Sequence, residues 1–401
     1  MKHPSFLIAF FSTIVRYYDY ALFGLSASIL SKNFLPNFSE DKQLLGFFAI
    51  FSLAVVTRPI GSIIFGWIGD SFGRIKAIKI AAILAAISTS FIGITPGFNM
   101  IGWTAVVILT FCRMVFLISL AGEVDTIRIY AAEKVGKSHK NSVNGMVSFF
   151  SQIGALLAAT SYYFLSDSEY LWRISFVGGG IMGIIVIFLR EHFIETAEFL
   201  TYKANNSDNK NLLQAIKDHQ QQFIIATIIS GSIGGIYHFS IIFFATFISK
   251  VTLQIDQDQA GTTNIMLIII YAISALFSGI IADRTVAMKQ IYFAIIASIM
   301  VLIISIFTDL LIYSPLIIVV LLPLYSVPLQ VKIQSLFNVG IRARMCSLSH
   351  SIGGIIISSS TPLISMVVWE YTKSLTCIFI VVVILLFALF GAVVKIPKQA
   401  S

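Results

Sequence analysis

Arg16 and Asp19 stand three residues apart inside an apolar run, so on a helix they share one face. An ionised side chain in a bilayer costs several kcal/mol unless it is paired or faces water. Two readings follow. The guanidinium can take a substrate carboxylate while the carboxylate carries a proton, or the two can be a mutually neutralising pair that tolerates burial. Arg113 lies deep in another apolar run with no acidic residue three or four positions away. Its planar fork suits bidentate binding of a carboxylate; the alternative is a salt bridge to an earlier helix. Glu123 and Asp125 follow in the same run, with Arg128 three residues after Asp125. A carboxylate in low dielectric can carry a proton, or it can belong to a network of charges that gates the inner side. Arg58 lies eight residues before Gly66, about 12 Å into its helix, where it can anchor one helix to another.

The stretch Gly66-Trp67-Ile68-Gly69-Asp70-Ser71-Phe72-Gly73-Arg74-Ile75-Lys76 organises the first half of the chain. Gly66, Gly69 and Gly73 permit a tight turn and close helix approach. Asp70 stands where one helix ends. Its carboxylate can cap the next helix or point at the positive end of a neighbouring one. Arg74, Lys76 and Lys79 follow, as in a short cytoplasmic loop.

The elements that position these residues are membrane spans. Of 401 residues, 57% are hydrophobic and 11% charged, and the mean hydropathy is +0.90. Soluble chains are roughly a quarter charged, which excludes that class. About twelve apolar segments of some twenty residues fill the length and leave no room for a soluble domain. The net charge of +8 is spread over short loops, which argues against nucleic acid. Cys112, Cys346 and Cys377 are scattered and make no metal or disulfide pattern. The apolar N-terminal run, residues 4–30, is too long for a signal peptide and lacks a small-residue cleavage site.

In order, helices are expected over 6–30, up to the Gly66 loop, 75–94, 103–130, 143–165 and 172–189. The polar stretch 190–222 reads as a cytoplasmic linker, with a short amphipathic helix around 212–216. Further helices are expected over 223–249, 263–281, 291–307, 311–337, 346–369 and 374–394. The domains are thus an N-terminal six-helix bundle over 1–189, the linker 190–222 and a C-terminal bundle over 223–401. The expected inner loops hold most of the basic residues, among them Arg74, Lys76 and Lys79, Lys134, Lys137 and Lys140, and Lys203, Lys210 and Lys217. The outer ones hold Lys32, Lys42, Arg173, Lys250 and Lys373, with Asp167 and Glu169 at an outer turn. This bias puts both termini in the cytoplasm.

Gly279-Ile280-Ile281-Ala282-Asp283-Arg284 repeats the start of the organising stretch half a chain later. Matching loops in two six-helix halves indicate a duplicated transporter. Here the sequence resembles the major facilitator superfamily: residues 66–76 match its loop 2–3 signature and residues 279–284 are a degenerate copy. Finer features resemble the metabolite:proton symporter branch, which includes proline/betaine, α-ketoglutarate and shikimate carriers. They are Tyr18-Asp19-Tyr20 before Phe23-Gly24, Arg58-Pro59-Ile60-Gly61, Gly122-Glu123 with Glu133, Trp172-Arg173, and the segment 195–199. Two departures stand out: Arg16 replaces an acidic residue, and the Gln usual near Phe116 is absent.

The resemblance implies an all-α fold of two six-helix halves that work by alternating access. It places Arg16, Arg113, Tyr237, His238 and Gln330 as substrate contacts, and Asp19 and Glu123 as candidates for proton coupling. Gly66, Asp70, Gly73, Arg74, Asp283 and Arg284 become a conformational gate. The expected partners are a small zwitterionic or anionic metabolite, protons and the lipid bilayer, with no cofactor, metal, nucleic acid or obligate protein partner. A facilitator without ion coupling and a non-transporting receptor are the other classes open. No nucleophile–base pair, zinc motif or nucleotide loop suggests an enzyme.

Overall fold

The computed structural model describes residues 4–136, 138–165, 170–205, 211–248, 257–308 and 311–397. Lys137, Asp167, Glu169, Lys210 and Lys250, used above in reading the loops, lie outside them. Every regular element among the described residues is helical. Among the described residues, twelve helices are long and apolar enough to cross a membrane. They are α1 (Ser5–Leu25), α2 (Ser52–Ser71), α3 (Arg74–Ile94), α4 (Trp103–Val135), α5 (Lys140–Leu165), α6 (Trp172–His192), α7 (Gln220–Phe243), α8 (Gly261–Arg284), α9 (Ala287–Ile306), α10 (Leu311–Ser335), α11 (Arg342–Thr372) and α12 (Leu375–Val394).

The first helix stops earlier than its apolar run suggests. It ends at Leu25 and a separate helix runs over Ala27–Phe34. The break follows Gly24 and falls at Ser26, a glycine and serine combination of the kind found at helix kinks. Two other spans are locally widened. α7 passes into a π-helix at His238–Phe243 and α11 at Gly354–Ser358. α10 carries Pro323 and Pro328 in its interior. In the linker, Leu212–Asp218 is helical, and the Asn211 side chain accepts from the Leu213 N–H at 3.4 Å.

Cα packing gathers the chain into two compact units. The first is Met1–Ala131 with Phe150–Asn209 and Val339–Ser347; the second is Ala132–Phe149 with Lys210–Asn338 and Leu348–Ser401. The segment 339–347 therefore packs with the first unit, and 132–149 with the second. Each holds the start of a helix whose N–H groups are capped by a carboxylate of the unit it joins.

Lipid chains are as apolar as leucine, so helix association rests on close packing of small side chains. The contact of α3 with α6 shows this. Ala81, Ala82, Ala85 and Ala86 of α3 are buried, as are Gly179, Gly180 and Gly183 of α6. The outward faces carry Ile83, Ile87 and Phe91 on α3 and Ile184, Ile185 and Phe188 on α6. In the second unit Gly231 of α7 lies against Gly353 and Ile357 of α11. Gly178 of α6 does not share in this packing: open space surrounds its missing side chain. Arg173 ends the α3–α6 contact by donating to the Gly93 and Thr95 carbonyls at 2.9 and 2.6 Å. It thereby satisfies the C-terminal carbonyls of α3.

These contacts make a paired prediction. A Cβ at Gly183 would meet Ala86 Cβ at 2.8 Å. Gly183→Ala is expected to destabilise by about 1–3 kcal/mol, read as a lower thermal midpoint of the detergent-solubilised protein. Gly178→Ala is expected to leave the midpoint unchanged.

Candidate substrate and proton site

The first unit buries a chain of charges contributed by three helices. α1 brings Arg16 and Asp19 on one face, α4 brings Glu123, and the end of α6 brings Arg190. Arg16 grips one oxygen of Glu123, Oε2, through Nε at 2.9 Å and Nη2 at 2.7 Å. Arg190 binds the other oxygen, Oε1, through Nη2 in a very short contact. The remaining Arg16 nitrogen, Nη1, is 3.8 Å from Asp19 Oδ2. That is an ion pair but too long for a hydrogen bond. Neither Asp19 oxygen has a hydrogen-bond partner among the described residues, and neither does Arg16 Nη1. Oδ1 of Asp19 lies against Gly179, where any side chain would collide with it.

Arg190 is held on all sides. Its Nε donates to Ser12 Oγ at 3.2 Å and its Nη1 to the Ile78 carbonyl at 2.7 Å. It is fully buried, at 0% exposure. The sequence placed Arg190 in the linker because it is the first charge after an apolar run. The helix continues past it to His192, and that one extra turn carries the side chain inside.

Arg113 has a different environment. Its guanidinium carbon lies 4.1 Å from the centroid of the Phe23 ring, 4.9 Å from Phe116 and 5.5 Å from Tyr20. One Nη2 hydrogen bond reaches the Tyr20 carbonyl at 3.4 Å. Arg16 approaches the same Phe116 ring at 5.8 Å. Phe116, near which the usual Gln is absent, is thus a shared aromatic support for two cations.

The organising stretch forms the second part of the site. Asp70, in the last turn of α2, points at the start of α11. Its Oδ1 accepts from the Ala343 N–H and its Oδ2 from the Arg344 N–H, both at 3.0 Å. Arg344 Nε also donates to Oδ2 at 3.1 Å, and Arg74 Nη1 to Oδ1 at 2.8 Å. Arg74, fully buried, adds bonds to the Gly69 and Val339 carbonyls, each at 2.7 Å. Gly66 is needed because a Cβ would lie 2.6 Å from Arg344 Cα. Gly73 has φ +112°, a conformation glycine adopts without strain. Glu195 Oε2 accepts the Ile75 N–H beside it at 3.2 Å, and Glu198 pairs with Arg342 at 2.9 Å.

The second unit repeats this cap in the same register. Asp283, at the end of α8, accepts from the Asn141 N–H at 3.1 Å and the Ser142 N–H at 2.7 Å. These are the second and third residues of α5, as Ala343 and Arg344 are of α11. A Cβ at Gly279 would lie 2.8 Å from Ser142 Cα, the counterpart of Gly66. Arg284 is exposed and has no role in the cap.

The remaining expected contacts also fall in the second unit. Tyr237 sits edge-on to Tyr271, with ring centroids 5.2 Å apart. His238 Nδ1 lies 3.1 Å from both the carbonyl and the hydroxyl of Ser358, so the two π-helical segments meet through it. Gln330 Oε1 accepts from Asn144 Nδ2 at 3.1 Å.

The Major Facilitator Superfamily profile matches residues 9–361. The chain belongs to that family. It is a multi-pass membrane transporter of this type and not an enzyme. A Staphylococcus aureus (strain COL) protein named for proline/betaine transport is 25% identical over 382 residues, which is 90% of this chain and 80% of that one. The shikimate transporter of Escherichia coli (strain K12) is 28% identical over 227 residues, 54% of this chain and 52% of that one. Among solved structures, the proton:xylose symporter XylE bound to 6-bromo-6-deoxy-D-glucose superposes with a TM-score of 0.79 at 17% identity, covering 98% of this chain and 95% of the other.

Asp70 holds two buried arginines and two helix N–H groups. Asp70→Asn keeps the shape and removes the charge, stranding Arg74 and Arg344. Breaking a buried pair in this way costs about 3–5 kcal/mol. Cys346, buried two residues beyond Arg344, reports the result. With Cys112 and Cys377 replaced, the maleimide labelling rate of Cys346 is expected to rise roughly 100-fold in Asp70→Asn.

Proposed function

We propose that this protein is a secondary transporter that imports a small zwitterionic or anionic metabolite together with a proton. The observation that carries the reading is the buried group of Arg16, Asp19, Glu123 and Arg190. Ionisable side chains at such depth mark substrate and proton pathways. Asp19 suits the proton because its carboxylate is buried and the one guanidinium nitrogen beside it, Arg16 Nη1, stands 3.8 Å off, too far for a hydrogen bond. Arg113, whose guanidinium lies on the Phe23 and Phe116 rings, is the proposed contact for a substrate carboxylate, with Arg16 beside it on the same Phe116 ring but engaged by Glu123. Tyr237, His238 and Gln330 are the proposed contacts from the second six-helix half. The names of the similar transporters, proline/betaine and shikimate, support an imino acid, betaine or organic acid.

Transport proceeds by alternating access of the halves 1–189 and 223–401 about the linker 190–222. The caps of Asp70 on α11 and Asp283 on α5 close the loop side in one state and release it in the other. A carboxylate at a helix N-terminus contributes about 0.3–2 kcal/mol; at Asp70 the ion pair with Arg344 adds to this and must part as well. Gly66, Gly73 and Arg74 belong to the same gate. The excess of Lys and Arg on the inner loops supports a bacterial inner membrane location with both termini cytoplasmic.

The test is uptake into proteoliposomes of labelled proline, glycine betaine, α-ketoglutarate, citrate and shikimate, with and without an inward proton gradient. One compound is expected to accumulate above equilibrium only with the gradient. Equilibration that ignores the gradient would make the protein a facilitator. No flux of any compound would overturn the assigned substrate class.

A further inference from the structure

Arg190 belongs to no expected site, yet it is the most enclosed cation near Asp19. Its contacts reach Ser12 on α1, Ile78 on α3 and Glu123 on α4. α6 is thereby tied to three others through one buried guanidinium. Glu123 has both oxygens engaged, one by each arginine. Arg16 then divides its guanidinium. One edge, Nε and Nη2, grips Glu123, while Nη1 faces Asp19 at 3.8 Å with no hydrogen bond made. A shift of about 1 Å would bring Nη1 into hydrogen-bond range of Asp19. The other charged or titratable groups acting on Asp19 are Tyr18 on its own helix and Glu123 and Arg113 on α4. α6 meets it with Gly179 and α3 with Thr89, neither of which titrates.

We propose that Arg190 is a positioning residue for the proton site. It pins Glu123 as a fixed counter-charge, and Glu123 in turn decides how much of Arg16 is available to ionised Asp19. This rests on Asp19 carrying the proton, as proposed above, and assigns Glu123 a structural charge in place of a proton-carrying role. Protonating Glu123 would strand two buried guanidiniums at once. Protonating Asp19 gives up one loose contact.

The relay makes predictions of opposite sign. Without Arg190, Glu123 rests on Arg16 alone and draws it from Asp19, and one positive charge leaves the neighbourhood. Ionised Asp19 then loses support, and its titration moves to higher pH. Without the Glu123 charge, Arg16 turns to Asp19, and the titration moves to lower pH.

The experiment is an infrared pH titration of the protonated-carboxyl C=O band in the full-length protein reconstituted in lipid, which requires no substrate. The band is expected in wild type and absent in Asp19→Asn. Its midpoint is expected to rise by about one pH unit in Arg190→Gln and fall by about one in Glu123→Gln. It should stay near wild type in Arg190→Lys, which keeps the charge and loses the fork. A merely structural Arg190 would lower the yield of folded protein in both Arg190 variants without moving the midpoint. The two shifts are independent, so either folded variant is decisive. Unchanged midpoints in Arg190→Gln and Glu123→Gln would overturn the relay alone. A band that survives Asp19→Asn and vanishes in Glu123→Gln would overturn the placing of the proton on Asp19 as well.

Discussion

One carboxylate, Glu123, holds two buried guanidiniums inside the first unit, and the order of the surrounding helices depends on it. Arg16 comes from α1, Arg190 from the end of α6, and Glu123 from α4. A buried ion pair contributes little net stability compared with well-packed apolar groups, but breaking one leaves an expensive uncompensated charge. The cluster therefore specifies position more than it stabilises. It fixes where α6 ends relative to α1 and α3, and it leaves Asp19 beside an arginine already committed elsewhere. A carboxylate placed in this way can gain or lose a proton without dismantling the packing around it.

The helix caps work on a different scale. Asp70 and Asp283 each reach the second and third N–H groups of a helix. Gly66 and Gly279, four residues earlier, let the two backbones approach. The geometry is the same in both places, but the reinforcement is not. Asp70 also carries Arg74 and Arg344, whereas Asp283 adds only the Asn141 side chain. The stronger cap coincides with the better-preserved signature in the sequence. A duplicated fold has kept its backbone solution twice and elaborated the charges once.

Much of this was legible before the structure. Span number and order follow from runs of apolar residues, and the repeat of Gly66–Asp70 at Gly279–Asp283 gave the duplication. The pairing of Asp70 with the positive end of another helix was one of two options the residue types allowed. What the sequence could not give is depth near a helix end. Arg190 reads as a loop charge because one more helical turn costs nothing visible in composition. Segment 339–347 could not be placed with the first unit either, because its ion pairs, Arg342 with Glu198 and Arg344 with Asp70, join residues far apart in the chain. The π-helical turns at His238 and Gly354 leave no compositional mark. Gly178 shows the converse: composition does not tell three consecutive glycines apart, but a helix turns 100° per residue and only two of the three face inward.

The central claim is that Asp19 couples the proton to transport. It is tested most directly by comparing accumulation with exchange in Asp19→Asn proteoliposomes, using whichever compound the wild type concentrates. The account predicts that Asp19→Asn still exchanges internal for external substrate at a pH-independent rate but no longer accumulates it when an inward proton gradient is imposed. Gradient-driven accumulation by Asp19→Asn at the wild-type level would contradict it.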